Sequence, residues 1–246
     1  MIPSFPKIPE EISTDVYHIS HDFEKRRQAK LVVYDDLEVQ LKISTMAQLK
    51  MSRFVRRTDI FQWDGQTVIG IDVSYDNNTA FGCAVELDVI NRSVIKRETH
   101  YSKCELPYIP SHFYLREGPI ILELVRRFGK TIVMVDGNGI LHPRRFGLAS
   151  YVGVMFDLPT IGVTKRLLLG TLSKRCENRA TIEHDGDVLG SAVWIGERKR
   201  PIYVSVGHNI SLETAIKIVQ LTSKFGYPEP LRQAHLCSKQ FKKNGA

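Results

Sequence analysis

The chain has 246 residues, 43% of them hydrophobic and 25% charged, which is ordinary for one large globular domain with a well-buried core. No apolar run approaches the ~20 residues of a membrane span, and Pro3, Pro6 and Pro9 exclude a secretory signal. The formal charge of +7 and the pI near 9.2 favour a polyanionic partner, although a basic balance alone is weak evidence for one.

The first part of the chain predicts a loose, proline-rich leader over residues 1–15 and one or two amphipathic helices within residues 20–57. From residue 67 the pattern changes to β-rich runs at Thr67–Tyr75, Ala80–Ile90 and Val94–Tyr101. Short polar joints connect these runs, which predicts two consecutive hairpins and thus three antiparallel strands.

The first of these strands should have two different faces. Its period of two puts four apolar side chains on one face: Ile69, Ile71, Val73 and Tyr75. It turns Asp72 and Ser74 to the other. Further along, Pro119 fits the first turn of a helix, which predicts that Glu117 lies just ahead of that helix, near its positive end.

The second half predicts more strands and one more helix. A short apolar run over Thr131–Val135 ends at Asp136, as a buried parallel strand would. Further strands fit Pro159–Val163, Val188–Ile195 and Ile202–Val206, and a helix fits Ser211–Phe225 with Glu213 in its first turn. This order predicts an α/β, ribonuclease H-like fold: three antiparallel strands followed by parallel strands in a mixed sheet flanked by helices. We expect a single domain over residues 1–246, with residues 1–58 as a leader and helical extension.

The four cysteines are scattered and form no CxxC pair: Cys83, Cys104, Cys176 and Cys237. Their spacing predicts reduced thiols in an intracellular protein, rather than a disulfide framework or a zinc site. The expected location is the cytoplasm, the nucleus or both if the source is eukaryotic.

Three acidic residues stand in distinctive settings: Asp72 in a strand, Glu117 beside a helix start and Asp136 at a strand end. Each alone has an ordinary explanation as a solvated, helix-terminal or turn carboxylate. Together, at these points of one fold, they favour a site for Mg²⁺, which takes oxygen ligands and keeps several waters. A metal held this way on a basic protein indicates phosphodiester chemistry.

A stiff loop is the second unusual feature. Pro107 and Pro110 bracket Tyr108 and Ile109, giving apolar side chains on a backbone with little freedom. The loop is either an ordinary core-packing segment or a wedge that replaces a base in the stack while that base enters a pocket.

A segment rich in glycine and basic residues follows Asp136 closely: Asn138, Gly139, His142, Arg144, Arg145 and Gly147. Backbone can approach a ligand closely at glycine, and the cations can hold phosphates, although Arg144 and Arg145 fit solvated surface charges equally well. Taken alone, Lys165 fits a solvent-facing lysine and His235 a structural histidine. The closing lysines fit a solvated basic tail: Lys239, Lys242 and Lys243.

These stretches together resemble the endonuclease V family, nucleases that act at deaminated adenine (inosine or deoxyinosine). The blocks that carry the resemblance run in the family's order over roughly residues 60–243: GIDVSY, PYIP, LREGP, VDGNGILHPRRFGLASYVGV, LPTIGVTKRLLLG, PIYVSVGHNISLETA and PEPLRQAH. The resemblance implies that Asp72 and Asp136 bind metal with Glu117 beside them. It places His235 in the active site and Lys165 near the scissile bond.

The resemblance also implies how the base is held. Tyr108 becomes the tip of the wedge, and the hypoxanthine pocket draws on backbone around Phe113, Gly137, Gly139 and Gly162, with Arg116, His142 and Gly147 nearby. The implied reaction is Mg²⁺-dependent (or Mn²⁺-dependent) hydrolysis of the second phosphodiester 3′ to inosine, leaving a 3′-hydroxyl and a 5′-phosphate. Many members have glycine where this chain has Ser111, which puts the geometry of the wedge in question.

Whether the protein cuts RNA or DNA is the open question. The blocks DGNG and PEPLRQA resemble the animal branch of the family, whose members tend to cut inosine-containing RNA. PYIP and His142-Pro143 resemble bacterial members instead. We therefore favour RNA as the substrate, with DNA repair as the alternative. A structure-selective nuclease of the same fold and a non-catalytic binding module are the rival classes. We expect a monomer that binds inosine-containing single strands and no membrane.

Overall fold

A computed structural model describes residues 33–60 and 62–244 of the chain. The predicted leader over residues 1–15, and the part of the predicted helical region before Val33, lie outside these residues. Helix α1 (Val33–Met51) falls in the predicted helical region, and a short 3-10 helix (Ser52–Phe54) follows it. No helix in this described part of the chain is long and apolar enough to cross a membrane.

A nine-stranded mixed sheet forms the centre of the described structure. Its strands are β1 (Thr67–Asp76), β2 (Thr79–Asp88), β3 (Ser93–Lys103), β4 (Ile132–Asp136), β5 (Thr160–Thr164), β6 (Thr171–Leu172), β7 (Arg179–His184), β8 (Asp187–Val193) and β9 (Ile202–His208). In space they run in the order β3-β2-β1-β4-β5-β9-β8-β7-β6. The predicted antiparallel group β1 to β3 is confirmed, and β1, β4 and β5 run parallel in the middle.

The far half of the sheet differs from the expected run of parallel strands. Beyond β5, the strands β9, β8, β7 and β6 pair antiparallel, and β6 and β7 are absent from the predicted set. The β7–β8 hairpin turns at Asp185 and Gly186, which both have positive φ, at 52° and 73°. Asp-Gly is a strong signal for a two-residue hairpin, so the sequence does contain the cue for this pair.

Helices pack on both faces of the sheet. Beyond α1 they are α2 (Phe113–Val125), α3 (Leu148–Phe156), α4 (Leu212–Thr222) and α5 (Glu229–Asn244). Helices α2 and α3 pack on the face of Ile69, Ile71 and Val135, whereas α4 and α5 pack on the face of Val68 and Met134. The predicted alternation of β1 is therefore confirmed, and α5 covers the face to which Asp72 points.

The structure corrects the predicted start of the helix that contains Pro119. Helix α2 begins at Phe113, so Pro119 lies inside it and Glu117 is within the helix rather than ahead of it. Pro119 has no N–H to donate to the carbonyl of Leu115, yet its fixed φ is compatible with a helix. Tyr114 is 5% exposed in the core, and this tertiary packing extends the helix towards its amino end.

The carboxyl-terminal segment was the least well predicted part of the fold. Its lysines belong to α5 rather than to a loose tail. Lys239 and Lys243 are solvent-exposed, as predicted, whereas Lys242 is half-buried and its Nζ donates to the carbonyl of Tyr75 at 3.2 Å. A disulfide between Cys83 of β2 and Cys237 of α5 corrects the prediction that all four cysteines are reduced. The pairing is hidden in the sequence because the two cysteines lie 154 positions apart and meet only when α5 docks on the sheet.

Candidate active site

The carboxyl ends of β1 and β4 place two carboxylates side by side. The parallel register pairs Ile71 with Val135, so the next positions, Asp72 and Asp136, are neighbours in the sheet. Asp72 is only 8% exposed. Burial, and after it the charge of Asp72, raises the pKa of Asp136. Two carboxylates held this way disfavour each other's charge and favour a cation beside them.

Helix α5 supplies two partners to Asp72. The His235 Nδ1 atom lies 3.2 Å from Asp72 Oδ2, and Ser238 Oγ donates to the same oxygen at 2.7 Å. Ser238 is fully buried and is in turn 2.7 Å from the hydroxyl of Ser74. The predicted nearness of His235 to the carboxylates is thus found in the structure. Ser238 is absent from the predicted set, although it follows His235 by three positions, which is the spacing of neighbours on one helix face.

Lys165 lies beside the second carboxylate, just after β5. Its Nζ is 4.0 Å from Asp136 Oδ2 and 4.5 Å from the centre of the Tyr227 ring. The positive charge of Lys165 lowers the pKa of Asp136 and so opposes part of the effect of burial. Tyr227 is buried, and burial followed by the charge of Asp136 raises the pKa of its hydroxyl, which keeps the ring neutral. No sequence pattern singles out Tyr227.

Glu117 reaches this region from the other side of the sheet. It lies on α2, is 5% exposed, and accepts a hydrogen bond from the Tyr75 hydroxyl at 3.1 Å. Burial raises the pKa of Glu117 well above its ordinary value; the Tyr75 bond lowers it, and the charges of Asp72 and Asp136 raise it further. The three predicted carboxylates are therefore electrostatically coupled, but only Asp72 and Asp136 are neighbours in the sheet.

The donor set suits a hard divalent cation held jointly by protein and substrate. Across residues 33–60 and 62–244, no group of three or more histidine, cysteine, aspartate or glutamate side chains forms a ready metal cage. Mg²⁺ is commonly bound through one or two carboxylates, waters and substrate phosphates rather than by an all-protein cage. Asp72 and Asp136 supply two adjacent oxygen donors of this kind, so the residues present fit the ion.

The predicted wedge loop, Leu106–Pro110, protrudes from the surface between β3 and α2. Tyr108 is 65% exposed, and its ring meets the Phe113 ring edge-on with centroids 5.6 Å apart. Pro107 and Pro110 are exposed as well, and Ile109 is half-buried. An exposed tyrosine on a proline-stiffened loop contradicts the core-packing alternative for this segment.

Arg116 fastens the base of this wedge loop. Its Nη1 donates to the carbonyl of Leu106 at 3.0 Å, and its guanidinium lies 4.0 Å from the centre of the Tyr75 ring. Because Tyr75 also donates to Glu117, Arg116 connects the wedge loop to the buried carboxylate.

The predicted glycines meet one another beside the site. A Cβ on Gly139 would lie 1.9 Å from the carbonyl oxygen of Val206, and one on Gly162 would lie 2.4 Å from the amide of Gly139. A Cβ on Gly147 would lie 2.3 Å from the carbonyl oxygen of Asn138, and one on Gly137 would meet only the side chain of Leu148. Backbones approach this closely only at glycine, so three of the four glycines are required by the close packing of this loop on itself and against β5 and β9.

The two arginines of this loop are not solvated surface charges. Arg145 Nη2 donates to the carbonyl of His184 at 3.0 Å, and Arg144 Nη2 donates to the carbonyl of Ser111 at 2.6 Å. His142 is 4% exposed, and burial, then the charge of Arg144, lowers its pKa to about 4. Both arginines therefore bind the protein itself, which contradicts the surface-charge alternative.

Comparison with known proteins gives a consistent result. The family model for Endonuclease V matches residues 49–236. Endonuclease V of Thermofilum pendens is 39% identical over 194 residues, which is 77% of this chain and 84% of that protein. Human Endonuclease V is 34% identical over 224 residues, 79% of each chain.

Solved structures give the same result as the sequence comparisons. The catalytic domain of human Endonuclease V has a TM-score of 0.78 at 33% identity, covering 84% of this chain and 97% of that one. Ciona intestinalis Endonuclease V, in complex with a 24mer DNA containing an inosine followed by a ribo-adenosine, has a TM-score of 0.77 at 29% identity, covering 84% and 99%. Fold and relatives make the protein a ribonuclease H-like nuclease, and therefore a hydrolase. Within that class, the chain belongs to the endonuclease V family.

Proposed function

We propose that the protein is a Mg²⁺-dependent endonuclease that recognises inosine in a nucleic acid strand. It hydrolyses the second phosphodiester bond 3′ to the inosine, leaving a 3′-hydroxyl and a 5′-phosphate, and Mn²⁺ also supports the reaction. The observation that carries the proposal is the pairing of Asp72 and Asp136 beside His235 and Lys165, in a chain of the endonuclease V family.

Asp72 and Asp136 would hold the cation, with Glu117 adding negative charge from α2. When bound, the metal activates a water and neutralises charge on the leaving oxygen. The contact of His235 Nδ1 with Asp72 fixes the imidazole and leaves its Nε2 to contact the substrate. Lys165 brings a positive charge to within 4.0 Å of Asp136, where it can contact the scissile phosphate.

The wedge loop and the glycines have different parts in base recognition. Tyr108 fills the gap that the inosine leaves in the stack, because its exposed ring is braced by Phe113 and its loop is stiffened by prolines. The close-packed backbone around Gly137, Gly139 and Gly162 forms the floor against which the extruded base rests.

We favour RNA over DNA as the strand that is cut. The Ciona intestinalis relative was crystallised with an inosine followed by a ribo-adenosine, which places a ribonucleotide directly after the inosine. A 2′-hydroxyl at that position would let the site distinguish RNA from DNA. Repair of deoxyinosine in DNA is the second candidate.

One experiment tests both points. Four labelled single strands of one sequence are compared: inosine RNA, inosine DNA, inosine DNA with a single ribonucleotide 3′ to the inosine, and adenosine RNA. Each is incubated with Mg²⁺ and with chelator, and the cut position and end groups are mapped, with Asp136→Asn as the inactive control. We expect cutting of the inosine strands only, fastest where a ribonucleotide follows the inosine. Equal cutting of the inosine and adenosine strands would show that the protein does not recognise inosine, and would favour the rival nuclease class.

A further inference from the structure

Ser111, which directly follows the wedge loop, has a backbone conformation that serine rarely adopts. Its φ is 65°, in the left-handed region that favours glycine. A serine keeps such a conformation only where surrounding contacts determine it.

Three donors converge on the carbonyl oxygen of Ser111. Gln48 Nε2 lies 3.1 Å from it, His142 Nε2 lies 3.0 Å from it, and Arg144 Nη2 lies 2.6 Å from it. The backbone N–H of Arg144 donates to His142 Nδ1 at 3.2 Å, so His142 carries its proton on Nε2 and donates to Ser111. One cationic and two neutral donors on one oxygen make a strong local restraint.

Gln48 joins the three parts of the structure that meet at this point. It lies on α1 and is 1% exposed. Besides Ser111, its Nε2 donates to the carbonyl of Phe146 at 3.0 Å, and its Oε1 accepts from Arg144 Nε at 2.6 Å. The amide therefore connects α1, the residue after the wedge loop and the glycine-containing loop that follows Asp136.

A second set of bonds holds the neighbouring residue in the same way. Ser44 Oγ, also on α1, lies 2.8 Å from His112 Nδ1 and 2.7 Å from the Tyr114 hydroxyl. Arg144 Nη2 donates to the other ring nitrogen of His112 at 3.2 Å. Both residues that connect the wedge loop to α2 are thus bonded to α1.

We propose that α1 is a positioning element for base recognition: Gln48, with Arg144 and His142, fixes the wedge loop against the loop that forms the floor of the base pocket. This inference rests on the proposed function, since it assigns α1 a part in inserting Tyr108. Ser44 and Gln48 precede residue 49, where the match to the family model begins. The restraint takes over the role that a glycine at position 111 would play by its own conformational preference.

The test uses a matched pair of substitutions on α1. Gln48→Met keeps the length and helix propensity of the side chain but removes all three of its hydrogen bonds, whereas Met46→Ala changes a side chain of the same helix that is 69% exposed. Single-turnover cleavage of inosine and adenosine strands is measured for each, together with thermal unfolding. We expect Gln48→Met to cut the inosine strand at least about 10-fold more slowly, the effect of roughly one net buried hydrogen bond. Met46→Ala should cut at the wild-type rate.

A second-site change separates positioning from general stability. Glycine adopts the left-handed region without strain, so Ser111→Gly should restore most of the activity that Gln48→Met loses. A loss caused only by weaker docking of α1 would not respond to position 111. If Gln48→Met does not fold, Gln48→Glu serves in its place, because a carboxylate keeps the bond from Arg144 and cannot donate to Ser111.

The outcomes are distinguishable. Slow cutting by the Gln48 variant, restored by Ser111→Gly at an unchanged unfolding temperature, supports the proposal. Wild-type cutting by the Gln48 variant, or a loss that Ser111→Gly leaves in place, overturns it while the proposed function stands. A wild-type protein that cuts inosine and adenosine strands equally overturns the proposed function and this inference with it.

Discussion

Removing the Ser238 hydroxyl should weaken the metal site without touching a carboxylate. Ser238 is fully buried and donates to Asp72 Oδ2 at 2.7 Å, so Ser238→Ala leaves a carboxylate that is 8% exposed short of one charge-assisted hydrogen bond. Such bonds are worth about 1.5–3 kcal/mol, which corresponds to roughly 10- to 150-fold in an equilibrium or a rate. Loss of a group that orients a metal ligand typically costs about 10- to 100-fold in metal affinity or activity.

The assay is the initial rate of inosine-strand cleavage as a function of Mg²⁺ concentration. We expect Ser238→Ala to need at least about 10-fold more Mg²⁺ for half-maximal rate, since Asp72 then keeps only its contact with His235 and the cation must order the carboxylate. Ser74→Ala is the matched control, because it removes the bond to Ser238 but leaves the bond from Ser238 to Asp72. A Ser238→Ala protein with the wild-type Mg²⁺ dependence and rate would refute the idea that Ser238 orients Asp72.

Three further outcomes are expected. Asp136→Asn should slow cleavage at least ~10³-fold, since several kcal/mol of metal-assisted stabilisation of the transition state are lost. The variant should still bind inosine strands in a filter assay. A near-normal rate would contradict the assignment of Asp136 as a metal ligand. Tyr108→Ala should slow single-turnover cleavage of an inosine duplex by about 5- to 150-fold, the worth of one base–aromatic stack, and affect the matching single strand less; equal losses on both would assign Tyr108 to loop stability. Acid should destabilise the fold through His142, whose pKa is 6.5 as a free group and about 4 in the folded protein. As pH falls, the unfolded chain takes up the proton first, so the stability that neutral His142 contributes is present above pH 6.5 and is lost by about pH 4. The loss in the free energy of unfolding, measured with urea, should reach up to about 3 kcal/mol. His142→Gln should make this free energy depend less on pH.

Local sequence signals were sufficient where one strand or one turn determines the structure. The alternation of Ile69 and Ile71 with Asp72 gave the correct face of β1, and the apolar run before Asp136 gave the parallel strand beside it. Because the carboxyl ends of parallel strands share one edge of a sheet, the pairing of Asp72 with Asp136 follows from these two elements.

Local sequence signals did not predict the structure where it depends on a contact between residues that are distant in the sequence. The start of α2 at Phe113, ahead of Pro119, depends on the packing of Tyr114 in the core. Helix α3 has buried residues on every side, so it shows no amphipathic period. Ser238 and Tyr227 acquire their roles only from side chains that other elements bring to them. No pattern in the chain marks Tyr227, and Ser238 is marked only by its spacing of three positions from His235.

The docking of α5 has a consequence for when the enzyme becomes competent during synthesis. Asp72 and Asp136 leave the ribosome well before His235, which lies 163 positions after the carboxylate it bonds. A nascent chain that has emerged only as far as Thr222 has both carboxylates but neither His235 nor Ser238. Contacts of such long sequence separation form late in folding, because the entropy of closing the intervening loop must be overcome first. The nuclease is therefore expected to stay inactive until α5 has been made and has docked on the sheet beside β1.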